Sequence, residues 1–389
     1  MALSRSRQRI FGKGLGKVEI RLVEPTADTS FTDIGYLDES TVEDMYSHKE
    51  EIEDENGNLI QSLFFGEKAK LQTILQQTGT DEINLLRNSV GNVYAIRYSG
   101  KDQSDHFMYY CFDKAILDPS VALKFKGKRT LPLNAHAIYQ DDTSFVTPLY
   151  YLYDGAREIS TANLIAWAEV PLGKTVGTTK LLDISGFANH GTLSSSSIWT
   201  TGTPANYLTF NGSSDSVSFG NVNNITTGDF MISMWVRPQS ADGTVSYFAT
   251  KRANIASTTA GWQFNRNTSN AIVFYCTDGT NTATIASAND VSLQNKWKHI
   301  AISGNRSGTN AQIYVNGVAS GSAVDISAVT SLTTSSNLYF ARISSTYSQN
   351  DLGTFRMYDY GVGGIPSDIA TRIKNHYNAD AVRYGLSTI

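Results

Sequence analysis

Phe230-Met-Ile-Ser-Met-Trp-Val-Arg-Pro238 is an apolar, β-favouring run, with Thr227-Gly-Asp229 before it and Gln239-Ser-Ala-Asp-Gly243 after it. Turn formers therefore close it on both sides. The same texture recurs at 207–210, 216–219, 247–251, 261–264 and 272–276, then at 297–303, 311–315, 338–341 and 353–358, always between Gly, Ser, Asn and Thr. Many short strands at this spacing are the pattern of an antiparallel sandwich or jelly roll. Only the end of the chain changes: Ser367 can cap a helix whose Ile369, Ile373 and Tyr377 share a face. No repeat of solenoid length occurs.

The segment before these strands has a different composition. Residues 1–160 hold 18 Lys or Arg and 24 Asp or Glu, whereas 161–389 hold 14 and 12. Trp167, Trp199, Trp235, Trp262 and Trp297 all lie in the second segment, and Glu169 is its only glutamate. This contrast predicts two domains, 1–160 and 161–389, with Asp154-Gly155 as a turn near the junction. A chain of 389 residues is long enough for both to bury a core. At 41% hydrophobic and 17% charged residues, it is neither a disordered polyelectrolyte nor a coiled coil. No apolar run of about 18 residues is present, so no membrane span is expected. The basic start, Met1 to Arg21, lacks the apolar core of roughly 7–15 residues that a secretory signal needs. Cys111 and Cys276, the only cysteines, exclude a disulfide scaffold and a multi-cysteine zinc site, and read as buried and reduced. A net charge of −4 argues against wholesale coating of DNA by the surface.

Within the first segment, residues 17–23 alternate, placing Val18, Ile20 and Leu22 on one face of a strand. Residues 67–77 put Leu71, Ile74 and Leu75 on one helical stripe, and Thr80 reads as the N-cap of a second helix over 81–90. Strands follow at 93–98, 107–117 and 120–139. The expected fold class is therefore mainly β: an N-terminal barrel or sandwich with a short helical insertion, then a C-terminal antiparallel jelly-roll sandwich ending in a short helix.

Several motifs of the second segment occur in a familiar order. They are Leu164-Ile-Ala-Trp167, Asp183-Ile-Ser-Gly-Phe-Ala-Asn-His-Gly-Thr-Leu193, Leu208-Thr-Phe-Asn-Gly212 and Asp215-Ser-Val217. The opening run, Trp297-Lys-His-Ile-Ala301, Ile313-Tyr-Val-Asn-Gly317 and Phe355-Arg-Met-Tyr358 complete them. In this order they resemble the concanavalin-A-like, laminin-G-like jelly roll. The first segment has a basic arm, a strand opening at Gly16-Lys-Val-Glu-Ile20, a helical insertion and the late run Phe112-Asp-Lys-Ala-Ile-Leu-Asp-Pro119. It resembles the tail-tube proteins of long-tailed bacteriophages. That resemblance implies homohexameric rings that stack with other tail proteins into a tube conducting DNA without specific binding. It also implies residence in the virion tail after synthesis in the bacterial cytoplasm, with the jelly roll as an outward decoration that meets host-surface carbohydrate.

The candidate sites follow from this frame. The acidic stretch Asp38, Glu39, Glu43, Asp44, Glu50, Glu51, Glu53, Asp54 and Glu55 reads as a solvated strand or loop, or else as a ring contact or lumen lining. Asn56-Gly57-Asn58 beyond it suits a hairpin turn. Arg5, Arg7 and Arg9 form a basic arm whose partner would be that acidic stretch in an adjacent ring; the other reading is a solvated terminus. Gly12, Gly14 and Gly16 precede a strand and open no helix, so they make no phosphate-binding loop. Glycosidase action needs two carboxylates about 5–10 Å apart, and no Glu-x-Asp-x-Glu run exists, so the protein is not expected to be an enzyme. The jelly-roll resemblance raises calcium as the one cofactor, through Asp183, although Thr354 stands about where relatives carry a second Asp. His190 and His299 read as structural. Trp199, Trp262, Tyr275 and Tyr347 are candidates for an aromatic sugar platform, while Trp235 and Trp297 read as core. Two functions remain open: a tail-tube subunit with a lectin-like decoration, and a carbohydrate-binding or adhesin module without tube-forming role.

Overall fold

A computed structural model of the chain describes residues 9–10, 17–37, 42–53, 59–76, 91–101, 107–118, 130–137 and 150–155 of the first segment. Beyond these it describes 161, 163–170, 177–202, 205–256, 258–290, 293–306, 308 and 310–389. The chain divides into two compact units, Met1–Ala156 and Arg157–Ile389.

The first unit is built from β1 (Arg9–Ile10), β2 (Lys17–Glu24), β3 (Thr32–Leu37), β4 (Val42–Glu53), β5 (Leu59–Gln76), β6 (Val93–Lys101), β7 (Phe107–Asp118), β8 (Thr130–Ala137) and β9 (Tyr150–Gly155). Its strands run β1-β4-β5-β3-β2-β6-β7-β8, β9 pairs with β7, and β5 also pairs with β8. That last pairing closes β5, β3, β2, β6, β7 and β8 into one hydrogen-bonded circuit, which leaves no free edge among them. Val18 and Ile20 of β2, Ile34, Tyr94 and Ile96 of β6, and Cys111 and Phe112 of β7 form its buried interior.

Residues 67–77 are not the expected helix, because 67–76 belong to strand β5. The stripe Leu71, Ile74, Leu75 fits a helix locally. β5, however, finds β4 on one edge (Glu43↔Leu71) and β8 on the other (Leu71↔Ala135), so long-range pairing outweighs local propensity. The second expected helix, at 81–90, lies outside the described residues. The strand expected from 120 is described only over Thr130–Ala137.

Among its described residues the second unit contains eighteen further strands. They are β10 (Leu164–Ala168), β11 (Lys180–Leu181), β12 (Gly191–Leu193), β13 (Trp199–Thr200), β14 (Tyr207–Thr209), β15 (Val217–Ser218), β16 (Asp229–Pro238), β17 (Ser246–Lys251) and β18 (Gly261–Arg266). Then come β19 (Ile272–Thr277), β20 (Thr282–Ala286), β21 (Lys298–Asn305), β22 (Asn310–Val315), β23 (Val318–Ala319), β24 (Tyr339–Phe340), β25 (Arg342–Ile343), β26 (Thr346–Tyr347) and β27 (Asn350–Gly361). Helix α1 (Ile369–Asp380) follows. One sheet runs β13-β14-β27-β16-β21-β22-β23 with β10 on β27; the other runs β11-β12-β15-β24-β17-β18-β19-β20. All their pairings are antiparallel, and the two sheets pack as a sandwich around Ile232, Met234, Phe355 and Met357 from the first and Phe248, Trp262, Phe264, Phe274 and Phe340 from the second.

The opening run lies in β16 and is buried on both faces, which explains its unbroken apolar character. Ile232, Met234 and Val236 point into the sandwich. Trp235 points the other way, beneath α1, where its ring stacks on Tyr384 (centroids 4.4 Å apart) and on Tyr377 (5.6 Å). Ile373 and Tyr377 of the helix are buried as their spacing predicts, but Asp368 rather than Ser367 precedes the first turn. Asp368 makes no side-chain cap and instead accepts from Arg372 Nε at 2.9 Å.

Candidate functional site

Register decides which residues of the second sheet face outward. Leu193, Val217, Phe340, Ala249, Phe264, Phe274 and Ile285 are successive cross-strand partners and all belong to the core. Side chains alternate along a strand, so the neighbouring row must face away from that core. It reads Lys180, Thr192, Ser218, Tyr339, Thr250, Gln263, Tyr275 and Thr284, one residue from each strand of the sheet. Every member is polar or a tyrosine, and none is acidic.

The β25–β26 hairpin lies against the middle of this row: Thr250 is fully buried and its Oγ1 donates to the Arg342 carbonyl at 2.6 Å. The Arg342 guanidinium then sits over two rings, Tyr339 at 4.9 Å and Tyr347 at 5.2 Å. A second guanidinium, Arg252, lies 4.5 Å over Tyr275, and its Nη1 donates to Gln263 Oε1 at 3.4 Å. Burial pulls the Arg252 pKa below its usual value, with Tyr275 acting in the opposite sense. Among the described residues neither arginine forms an ion pair with a carboxylate. With strands about 4.8 Å apart, Tyr339 and Tyr275 are separated by roughly 14 Å across the face. The result is a polar strip holding two aromatic-stacked cations.

The structure disperses the four sugar-platform candidates. Tyr275 and Tyr347 belong to this face. Trp262 does not: it is fully buried and stacks on Phe274 in the core, because it lies on the inward parity of β18, two residues from Phe264. Trp199 is half-buried on β13, an edge strand of the opposite sheet, with its Nε1 donating to the Thr178 carbonyl at 3.0 Å. Residues absent from the expectation, Arg252, Arg342, Tyr339 and Gln263, supply the rest of the face. Their signal was the alternation of 262–266 and 272–277, which marks Gln263 and Tyr275 as one face and Phe264 and Phe274 as the other.

Asp183 is buried, and its carboxylate accepts from the backbone N–H of Trp167 (2.9 Å), Ser185 (3.0 Å) and Asn189 (3.1 Å) and from Ser185 Oγ (2.9 Å). Burial raises its pKa, against the pull of these donors. Thr354 turns its Oγ1 to Glu169 Oε1, 3.4 Å away. A calcium ion needs six to eight free oxygens, and a carboxylate already engaged by four donors, with no second carboxylate at Thr354, does not fit one. Among the described residues no group of three or more His, Cys, Asp or Glu side chains is arranged to hold a metal. His190 Nδ1 accepts from the Asp183 backbone N–H at 3.1 Å. Fully buried His299 packs on Trp235, and burial holds its pKa down to about 3. Both cysteines are buried and form no disulfide.

Glu169 is the functional-looking carboxylate that turns out to be structural. Its oxygens accept from Trp167 Nε1 (2.6 Å), Arg383 Nη1 (2.8 Å) and Arg356 Nη2 (3.4 Å), while Arg356 Nη1 donates to Asp380 at 2.7 Å. The Glu169 and Asp380 side chains are fully sealed from solvent, so they offer no acid–base pair to a saccharide. They tie β10 and β27 to the end of α1.

In the first unit, β1 pairs with β4 in one chain, with Arg9 opposite Glu43. Glu43, Asp44, Glu50, Glu51 and Glu53 occupy β4 itself, and the pairing Glu53↔Leu59 brackets the expected turn. Arg5, Arg7, Asp38, Glu39, Asp54 and Glu55 lie outside the described residues.

Comparison with known proteins agrees on the second unit. Residues 211–361 match the laminin-G family model described as the concanavalin A-like lectin/glucanases superfamily. The second unit carries a concanavalin A-like, laminin-G-like jelly roll. Similar solved structures include the binding domain of Paraclostridial Mosquitocidal Protein 1, at 17% identity and TM-score 0.44 over 58% of this chain and 56% of that one. The botulinum neurotoxin serotype G binding domain is similar at 20% identity and TM-score 0.42, over 55% and 50%. The serotype D ligand binding domain, solved in complex with N-acetylneuraminic acid, is similar at 14% identity and TM-score 0.43, over 56% and 51%. The chain thus spans about half the length of these structures. No curated protein matches it.

Proposed function

We propose that the second unit is a non-catalytic glycan-binding module that takes acidic saccharides on the outer face of its second sheet. The observation that carries this reading is the strip in which Arg252 lies over Tyr275 and Arg342 between Tyr339 and Tyr347. Tyrosine faces accept the C–H surface of a sugar ring, Gln263, Thr192 and Thr284 meet hydroxyls, and the half-buried Arg342 guanidinium favours a carboxylate or sulfate, while Arg252, only 2% exposed, holds the Tyr275 ring in place. Single sites of this open kind bind weakly, and display of many copies raises effective affinity roughly 10²–10⁴-fold where geometry allows. The test is binding of the full chain to a panel of acidic and neutral oligosaccharides at rising salt. Acidic members should bind, progressively less as salt screens the charges, and R342Q should weaken them while keeping its melting temperature. If no acidic oligosaccharide binds, or R342Q binds as the parent does, the reading is wrong.

A second reading concerns the first unit: a tail-tube subunit of a virion that forms stacked hexameric rings. Two observations favour self-assembly. Six strands close into a circuit, and beyond it residues 45–53 of β4 and 59–69 of β5 pair with each other but with no other described strand. Such a two-stranded ribbon leaves both edges open to strands of another copy. Electron microscopy of the purified chain tests it: rings or tubes with a bore support assembly, and monomers at high concentration argue for a free adhesin-like module.

A further inference from the structure

The outward row of the second sheet continues past the hairpin. From Tyr339 it runs through Ser218 and Thr192 to Lys180 on the edge strand β11. Thr192 is exposed, and Lys180, Ser218 and Tyr339 are half-buried, so this half of the face is open to solvent. We propose that it binds a stretch of polyanionic polysaccharide lying across the strands, with one acidic group at Arg342 and another at Lys180. This rests on the acidic-saccharide reading of the same face and narrows it to a class of ligand.

Charge and spacing carry the inference. Among the described residues Lys180, like Arg342, forms no ion pair with a carboxylate, so both cations are left to a ligand. The surface between them is polar and free of acids. Beside Thr192 and Ser218 the same face presents Ser194 and Ser216, two positions along each strand, with Ser194 Oγ accepting from the Ser216 backbone N–H at 3.0 Å. It also presents Asn337, whose Nδ2 donates to Ser218 Oγ at 3.4 Å and to the Tyr339 hydroxyl at 3.3 Å. Lys180 and Tyr339 are three strand spacings apart, about 14 Å, and the Arg342 guanidinium sits 4.9 Å over the Tyr339 ring. One sugar ring is too short to meet both cations. A chain with a carboxylate or sulfate on successive rings meets both, and its hydroxyls lie along the hydroxyl and amide side chains between them. A single contact between exposed charges is weak and screened by salt. Two such contacts on one chain reinforce each other, because the second forms intramolecularly.

The test is calorimetry of the full chain at low salt with two series of one to six residues, oligogalacturonates and sulfated malto-oligosaccharides. In at least one series affinity should rise about tenfold or more from one residue to four, then level off. K180E turns an attraction into a repulsion and should weaken the four-residue chain about tenfold, while the single residue binds as it does to the parent. R342Q should weaken both. K374E makes the same charge change at an exposed position of α1, over the opposite sheet, and should leave the four-residue chain bound as by the parent. Affinity independent of length overturns the proposal. So does K180E binding the four-residue chain as the parent does, or K374E weakening it as much as K180E. Length-independent binding that R342Q weakens leaves the acidic-saccharide reading standing without the polymer, whereas binding of neither series overturns both.

Discussion

The two sheets of the sandwich share one core and treat their outer faces oppositely. The first sheet is covered: α1 and the segment after it lie on Trp235, His299, Arg356 and Thr354, and seal a charge network beneath them. The second is only partly covered: Thr250 and Arg252 are buried, but Tyr339, Gln263, Tyr275 and Arg342 stay half-buried on the same parity that the first sheet gives to buried groups. An outer face that is roofed can hold ions only by pairing them in full, whereas an open face can hold cations stacked on rings and still meet a ligand. Under the proposed function, the roofed face contributes stability and the partly open face contributes recognition.

The sharpest way to break this comparison is to cut the network under the roof. R356M removes the fully buried cation between Glu169 and Asp380 and leaves the two carboxylates to share Arg383, and loss of one partner from a buried ion cluster costs about 3–5 kcal/mol. Urea denaturation should show a loss of that order with acidic-glycan binding retained wherever the protein is folded. A loss under about 1 kcal/mol would mean the roof is loosely held and the two faces are not so different.

A comparable effect lies in acid. His299 is fully buried, with a folded pKa of about 3 against an unfolded value near 6.5. The unfolded chain therefore binds more protons between those values. Stability falls as pH drops from about 6.5 toward 3, by up to roughly 5 kcal/mol from this group. H299F keeps a ring beside Trp235 and removes the titration, so the stability gap between parent and variant should change in the variant's favour over that window. Parallel stability curves would show that His299 is already solvated.

On the open face the expected effects are smaller. Tyr275→Leu removes the ring under Arg252 and should reduce acidic-glycan affinity by roughly 1 kcal/mol, while shifting the unfolding midpoint little. Smallest of all is chelation: with Asp183 engaged by four hydrogen bonds, EDTA should leave melting and binding unchanged. A chelator-induced drop in melting temperature would return calcium to the jelly roll.

Much of the fold was legible in the sequence because turn residues and two-residue alternation are local properties. The strands around Phe230–Pro238, the terminal helix with Ile373 and Tyr377 inward, and the change of composition between the segments all followed from neighbours in the chain. Tertiary structure decided the rest. The stripe Leu71, Ile74, Leu75 fits a helix, whereas in a strand Leu71 and Leu75 share one face and Ile74 takes the other, and only the edges offered by β4 and β8 chose between them. Trp262 and Tyr275 have similar surroundings in sequence, yet a single step of parity puts one in the core and the other in the outward polar strip. Glu169, conspicuous as the sole glutamate of its segment, owes its role to Arg356 and Arg383, 187 and 214 residues further along the chain. Local pattern determines which elements form, since backbone preference and amphipathicity act over a few residues. Which side chains meet depends on register and on what roofs each face, and both arise only when distant strands pair.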